Sequence, residues 1–123
     1  MPMRGRIEKG AAEAFVRDWI AAWNDRDLDA VLEHYSEDVE LHSPRIATVT
    51  GREEAFVSGK TALAAYWRKA LEDAPELNFI LERVYVGSDA ISIAYRNHRG
   101  QHAVETLVFD EHGRVRFASV AYD

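Results

Sequence analysis

The sequence predicts an α+β fold, with three N-terminal helices packed on one face of a strongly curved, mostly antiparallel sheet. Three observations carry this. Apolar residues recur at helical spacing as far as Glu72. After Pro75 the period changes to strict alternation. Short turn signals ("GSD", "RG", "DEHG") then divide four alternating runs into an antiparallel meander. Helices first and strands afterwards is the α+β order, in which the helices gather on one side of the sheet.

Ala11 to Trp23 reads as an amphipathic helix with Phe15, Trp19, Ala22 and Trp23 on one face. "NDRD" interrupts it, and Asp27 is a good N-cap for a short second helix carrying Leu28, Val31, Leu32 and Tyr35. A strand is expected from Val39 to Ser43, with Pro44 ending its pairing. A polar loop containing Gly51 and Gly59 follows, long enough to act as a lid. The third helix runs from about Lys60 to Glu72, with Leu63, Tyr66, Trp67 and Leu71 at helical spacing. "LNFILERVYV", "AISIAYRNH", "HAVETLVF" and "VRFASVAY" are the four strands. Residues 1–123 read as one domain, with 1–9 a flexible N-terminal segment.

Composition narrows the function. The net charge is −6, which repels nucleic-acid backbones and anionic lipid surfaces, so neither is an expected partner. There is no cysteine, which excludes disulfides, thiolate metal sites and thiol catalysis and suits a reducing cytoplasm. "MPMRGRIEKG" has no apolar run of the secretory kind, and no stretch reaches membrane-spanning length. Three Trp, five Tyr and five Phe are ample to line a cavity.

Glu105 is the leading candidate for chemistry. It alternates with Ala103, Leu107 and Phe109, so it shares their face, where burial would raise its pKa unless a cation pairs with it. If Arg99 and Gly100 form a two-residue turn, Ala94 lies opposite Glu105, and Arg96 and His98 share its face. Arg96 is then the expected partner, making either a tuned acid/base or a structural ion pair. The other face (Ile91, Ile93, Tyr95 and Asn97 with His102, Val104, Thr106 and Val108) is also rich in apolar groups, so a second subunit is expected to cover the outer side of the sheet. The five histidines lack metal-ligand spacing, "SGKT" lacks the first glycine and preceding strand of a phosphate loop, and no glycine-flanked serine elbow is present. No metal or cofactor is expected.

The series Trp23-Asn24, Asp27-Leu28-Asp29 and Tyr35-x-x-Asp38-Val39, with "GKTALAAYWRKAL" and the four strands, resembles the SnoaL-like branch of the nuclear transport factor 2-like superfamily. The resemblance spans nearly the whole chain. It implies a cone-shaped α+β half-barrel with a deep apolar pocket, and a homodimer formed through the outer sheet face. Its members include isomerases, cyclases, dehydratases, hydrolases and proteins without catalysis, so the fold alone does not name a reaction. A more distant similarity is to ketosteroid isomerase, whose oxyanion tyrosine, base and oxyanion aspartic acid correspond to Trp19, Ser43 and Glu105. Only one of these three is a carboxyl, and the base is missing.

The resemblance turns Ser43 towards the pocket and its neighbour His42 away, unless a bulge intervenes. An imidazole is the natural proton carrier near neutral pH, so both residues stand as candidates for a second catalytic position. Trp19 and Trp67 match pocket-facing positions, Tyr122 falls on the inner face of the last strand, and Trp23 reads as plain core. The expected function is binding of a small hydrophobic or aromatic molecule, with Glu105 and His42 or Ser43 catalytic and Trp19, Trp67, Arg96, His98 and Tyr122 holding the ligand. A non-catalytic binding protein and a dimerisation module for partner proteins are the alternatives.

Overall fold

In the computed structural model, which describes residues 6–123, the helical first part and the alternating second part close on one core. Helix α1 (Lys9–Asn24) buries Ala12, Val16, Trp19, Ala22 and Trp23, the stripe its periodicity predicts. Of the expected flexible segment 1–9, residues 1–5 lie outside the described residues, Ile7 is buried in the core, and Lys9 already opens α1.

The "WNDRD" turn ties this helix to distant parts of the chain. The Asn24 side chain donates to the Phe79 carbonyl at 2.9 Å and accepts from the Phe79 N–H at 2.7 Å. Arg26 takes a positive φ of 59°. Its guanidinium donates to the carbonyls of Leu71, Ala74 (2.9 Å) and Pro75 (3.3 Å), supplying cationic donors where helix α4 (Lys60–Asp73) ends. The Asp27 carboxylate accepts from the Ala30 N–H at 3.1 Å and caps α2 (Leu28–Leu32).

Tyr35, expected on that second helix, instead opens strand β1 (Tyr35–His42). Its ring is fully buried and its hydroxyl accepts from the Trp19 indole at 2.9 Å, so a tertiary contact overrides the helical spacing. The stretch expected to be a loop holds two more elements, α3 (Pro44–Thr50) and β2 (Phe56–Ser58). Ser43 caps α3, Pro44 occupies its first turn, and Gly51 ends it in a left-handed conformation at φ 72°. The three helices expected are α1, α2 and α4 (Lys60–Asp73).

Strands β3 (Ile80–Val86), β4 (Ala90–Arg96), β5 (His102–Phe109) and β6 (Val115–Tyr122) complete a six-stranded sheet in the order β2-β1-β6-β5-β4-β3. All neighbours pair antiparallel except β1 and β6. The helices lie on one face of this curved sheet, as the alternation and the resemblance imply.

The β4–β5 hairpin departs from expectation by one residue. Asn97 and Gln101 close a three-residue loop (N–H to carbonyl, 2.9 Å) with Gly100 at φ 78°, where a side chain would be strained. Ile93 therefore stands opposite Glu105, and Arg96 opposite His102. A slip of one residue moves every side chain of β4 to the other face. Ile91, Ile93, Tyr95 and Asn97 are buried with Glu105, while Arg96 is exposed on the outer side.

Candidate functional site

A cavity of about 80 Å³ opens where the ends of α1 and α4 and the start of α3 meet the inner face of the sheet. Its apolar wall includes Trp23, Trp67, Leu77, Phe79 and Val120, and its polar groups are Ser43, Arg45, Asn97, His98 and Glu105 with three tyrosines, Tyr66, Tyr95 and Tyr122.

Glu105 is the most unusual of these groups. It is 5% exposed, and its Oε1 accepts from the Tyr95 hydroxyl at 3.0 Å. Among the described residues no lysine, arginine or histidine forms an ion pair with it. Burial therefore pushes its pKa up to about 7, with the Tyr95 hydrogen bond opposing the rise. The tyrosines respond in turn. Burial and then the Glu105 charge raise Tyr35, Tyr95 and Tyr122. Tyr66 and Tyr122 also lie beside the Ser43 hydroxyl, which counters part of their rise.

The choice between His42 and Ser43 is settled in geometry. Ser43 is 4% exposed and lines the cavity, and its hydroxyl accepts from the Arg45 N–H at 3.3 Å. His42 points to the outer side. Its ring stacks on Phe56 with centroids 5.3 Å apart and packs beside Phe117 at 5.2 Å, and its Nε2 lies 3.1 Å from Glu40. The Glu40 carboxylate also accepts from Ser58 at 3.2 Å. Without a bulge at Leu41, alternation leaves the two neighbours on opposite faces, and Leu41 itself joins Ser43 in the cavity wall.

Arg96 does not pair with Glu105, because the hairpin register turns it outward. Tyr95 takes that place. Trp19 is fully buried behind the wall, in ring contact with Trp23, Phe79 and Tyr95, while Trp23 itself lines the cavity rather than being plain core. Trp67, His98 and Tyr122 line it. His98 reaches it from the hairpin loop, where burial holds its imidazole below the ordinary value against the pull of Glu76.

The SnoaL-like domain family matches residues 16–121. The chain belongs to the SnoaL-like family. A SnoaL-like protein of unknown function from Burkholderia thailandensis E264 is 38% identical, with 96% of this chain and 98% of that one covered and a TM-score of 0.91. A protein provisionally described as an isomerase of the SnoaL-like family, from Agrobacterium tumefaciens strain C58, shares the fold at 16% identity, with 91% and 97% covered and a TM-score of 0.71. One provisionally described as a polyketide cyclase, from Sinorhizobium meliloti, does so at 15% identity, with 94% and 100% covered and a TM-score of 0.74. No curated protein matches the sequence significantly.

Four polar groups of this SnoaL-like site escape sequence reasoning: Tyr95 and Asn97, which the register turns inward together, and Tyr66 and Arg45. Tyr95 is hidden by the one-residue register difference, although the asparagine and glycine flanking the turn signal a looser loop. Tyr66 sits one residue before Trp67 and is absorbed into the helix's core stripe. Arg45 enters because α3 exists, and the Ser43-Pro44 start with Gly51 at its end is a helix signature of caps rather than of periodicity. Among the described residues no three His, Asp or Glu side chains converge as a metal site, and no helix is long and apolar enough to cross a membrane.

Proposed function

We propose that this SnoaL-like protein binds a small, largely apolar molecule in the cavity and moves a proton on it, with Glu105 as the acid/base and no cofactor. The observation that carries this reading is Glu105 itself: a buried carboxyl with no ion-pair partner among the described residues, its pKa pushed up to about 7 by burial and its Oε1 hydrogen-bonded by Tyr95. A group so poised both accepts and returns a proton without a large driving-force penalty. The free space of about 80 Å³ is well below the roughly 300–1,000 Å³ of sites for drug-sized molecules, in keeping with a small ligand. Fold neighbours provisionally described as an isomerase and a polyketide cyclase are in keeping with such chemistry.

In this reading Ser43, with Tyr66 and Tyr122, orients the ligand and is too weak a base to replace a carboxylate. His42 takes no part in the reaction. A second copy covers the outer sheet face, where Val104 is 41% exposed, and the cysteine-free chain works in a reducing cytoplasm. The test is proton exchange on small cyclic ketones in heavy water, followed by loss of α-proton NMR signals. The wild type accelerates exchange, and Glu105→Gln loses roughly a hundredfold or more. Retained ligand binding with no exchange by the wild type supports instead a non-catalytic binding protein, which the unsatisfied donors of the cavity wall would serve equally well.

A further inference from the structure

Among the described residues, three hydrogen-bonding side chains of the cavity wall make no hydrogen bond. The Trp23 indole N–H is buried without a partner. The ring nitrogens of His98 are likewise buried without a hydrogen bond, in a side chain only 9% exposed. Its Nε2 stands 3.4 Å from Glu76, whose carboxylate is mostly in solvent and does not complete a hydrogen bond. The Arg45 guanidinium, half-buried on the first turn of α3, makes neither a hydrogen bond nor an ion pair with any described residue. All three side chains line the one cavity. Arg45 also lies close enough to His98, Tyr66 and Tyr122 to act on each of them electrostatically.

A buried donor left unsatisfied costs about 1–3 kcal/mol, so such groups normally have a partner in the working state. The Trp23 and His98 donors, which make no hydrogen bond, suit an acceptor-rich group, and the Arg45 guanidinium beside them favours one that is negatively charged, since arginine's planar fork matches a carboxylate. The aromatic remainder of the wall suits an apolar ring.

We propose that the ligand of this cavity is a small ring-bearing carboxylate, its acid group held by Arg45 beside His98 and an oxygen accepting from the Trp23 indole N–H. The anion replaces the partner that Arg96 was expected to find in Glu105, with a different arginine and a ligand in place of a side chain. The inference rests on the cavity being a ligand site, as read above, but not on Glu105 being the catalyst.

Trp23 and Trp67 in the wall make tryptophan fluorescence the readout, with benzoate and its neutral counterpart benzyl alcohol as probes of the purified chain. Benzoate is expected to bind saturably and more tightly than benzyl alcohol. Arg45→Gln should weaken benzoate roughly tenfold or more and leave benzyl alcohol unchanged, while Arg45→Lys keeps part of the preference. Equal affinity of the wild type for the two probes overturns the proposal without any variant, as does an equal loss of both in a folded Arg45→Gln protein. Glu105→Gln separates the two readings. It should not lower the benzoate preference, since it removes a negative charge from the same wall, while proton exchange falls roughly a hundredfold or more, and a wild type that exchanges protons yet ignores the charge of the probe loses the anion site alone.

Discussion

The Tyr95 hydroxyl donates to Glu105 Oε1 at 3.0 Å, joining strands β4 and β5 through the only hydrogen bond the carboxyl makes among the described residues. The two residues are diagonal neighbours on the buried face, since Ile93 stands directly opposite Glu105 and Ala103 opposite Tyr95. The bond favours the carboxylate, whereas burial favours the neutral acid, and burial wins.

The first prediction concerns pH and stability. Glu105 has a folded pKa of about 7 against an ordinary 4.5, so the native state holds the proton more tightly than the unfolded chain. Its contribution is fully present below the lower value and is lost as pH rises through the upper one, by roughly 3 kcal/mol. Urea denaturation of the wild type and Glu105→Gln at about pH 5 and about pH 8 should show the variant gaining on the wild type by that order at the higher pH. An unchanged gap between the two would mean that the carboxyl is not desolvated.

Removing the Tyr95 hydroxyl acts in the opposite sense to removing the burial. Tyr95→Phe deletes the donor that stabilises the carboxylate, so the Glu105 pKa should move further above 7, by roughly one unit for a bond to a charged group. Infrared titration of the carboxyl band reads the shift directly, and a downward move would contradict the assignment.

Behind the cavity, Trp19 donates to the Tyr35 hydroxyl in a fully buried pair. Tyr35→Phe strands the indole N–H with no water to replace the acceptor. The expected loss is about 1–3 kcal/mol of stability, measured as a lower denaturation midpoint with an unchanged slope.

The Asn24 clamp on Phe79 makes two hydrogen bonds across 55 positions of the chain. Asn24→Ala leaves both backbone groups of Phe79 without these partners and should cost about 1–3 kcal/mol. Because Phe79 also lines the cavity, the same variant should weaken benzyl alcohol binding, whereas Arg45→Gln should not.

For the outer face the measurement is mass in solution. Val104→Glu puts a charge on the exposed side of β5, opposite the cavity. Sedimentation should show the wild type as a dimer and the variant as a monomer with unaltered probe binding. A wild type that sediments as a monomer at all concentrations would remove the second copy from the reading.

Much of this protein was legible along the chain. The stripe on α1, the alternation of β5 and the resulting inward aim of Glu105 follow from periods of 3.6 and 2 within single segments, and need no knowledge of any neighbour. Helix α3 was less visible, because seven residues are too few to show a period and its evidence lies in its caps. Which partner Glu105 meets was decided between segments. A loop of three residues rather than two exchanges Arg96 for Tyr95, and with it a charged pair for a carboxyl near neutrality. Trp19 and Trp23, one turn apart on the same stripe, are equivalent in pattern, and only the packing against Tyr35 and Phe79 places one behind the wall and the other in it. Local periodicity determines which way a side chain points. What stands there to meet it depends on register and helix docking, which are fixed by turn geometry and by steric fit between parts of the chain far apart in sequence.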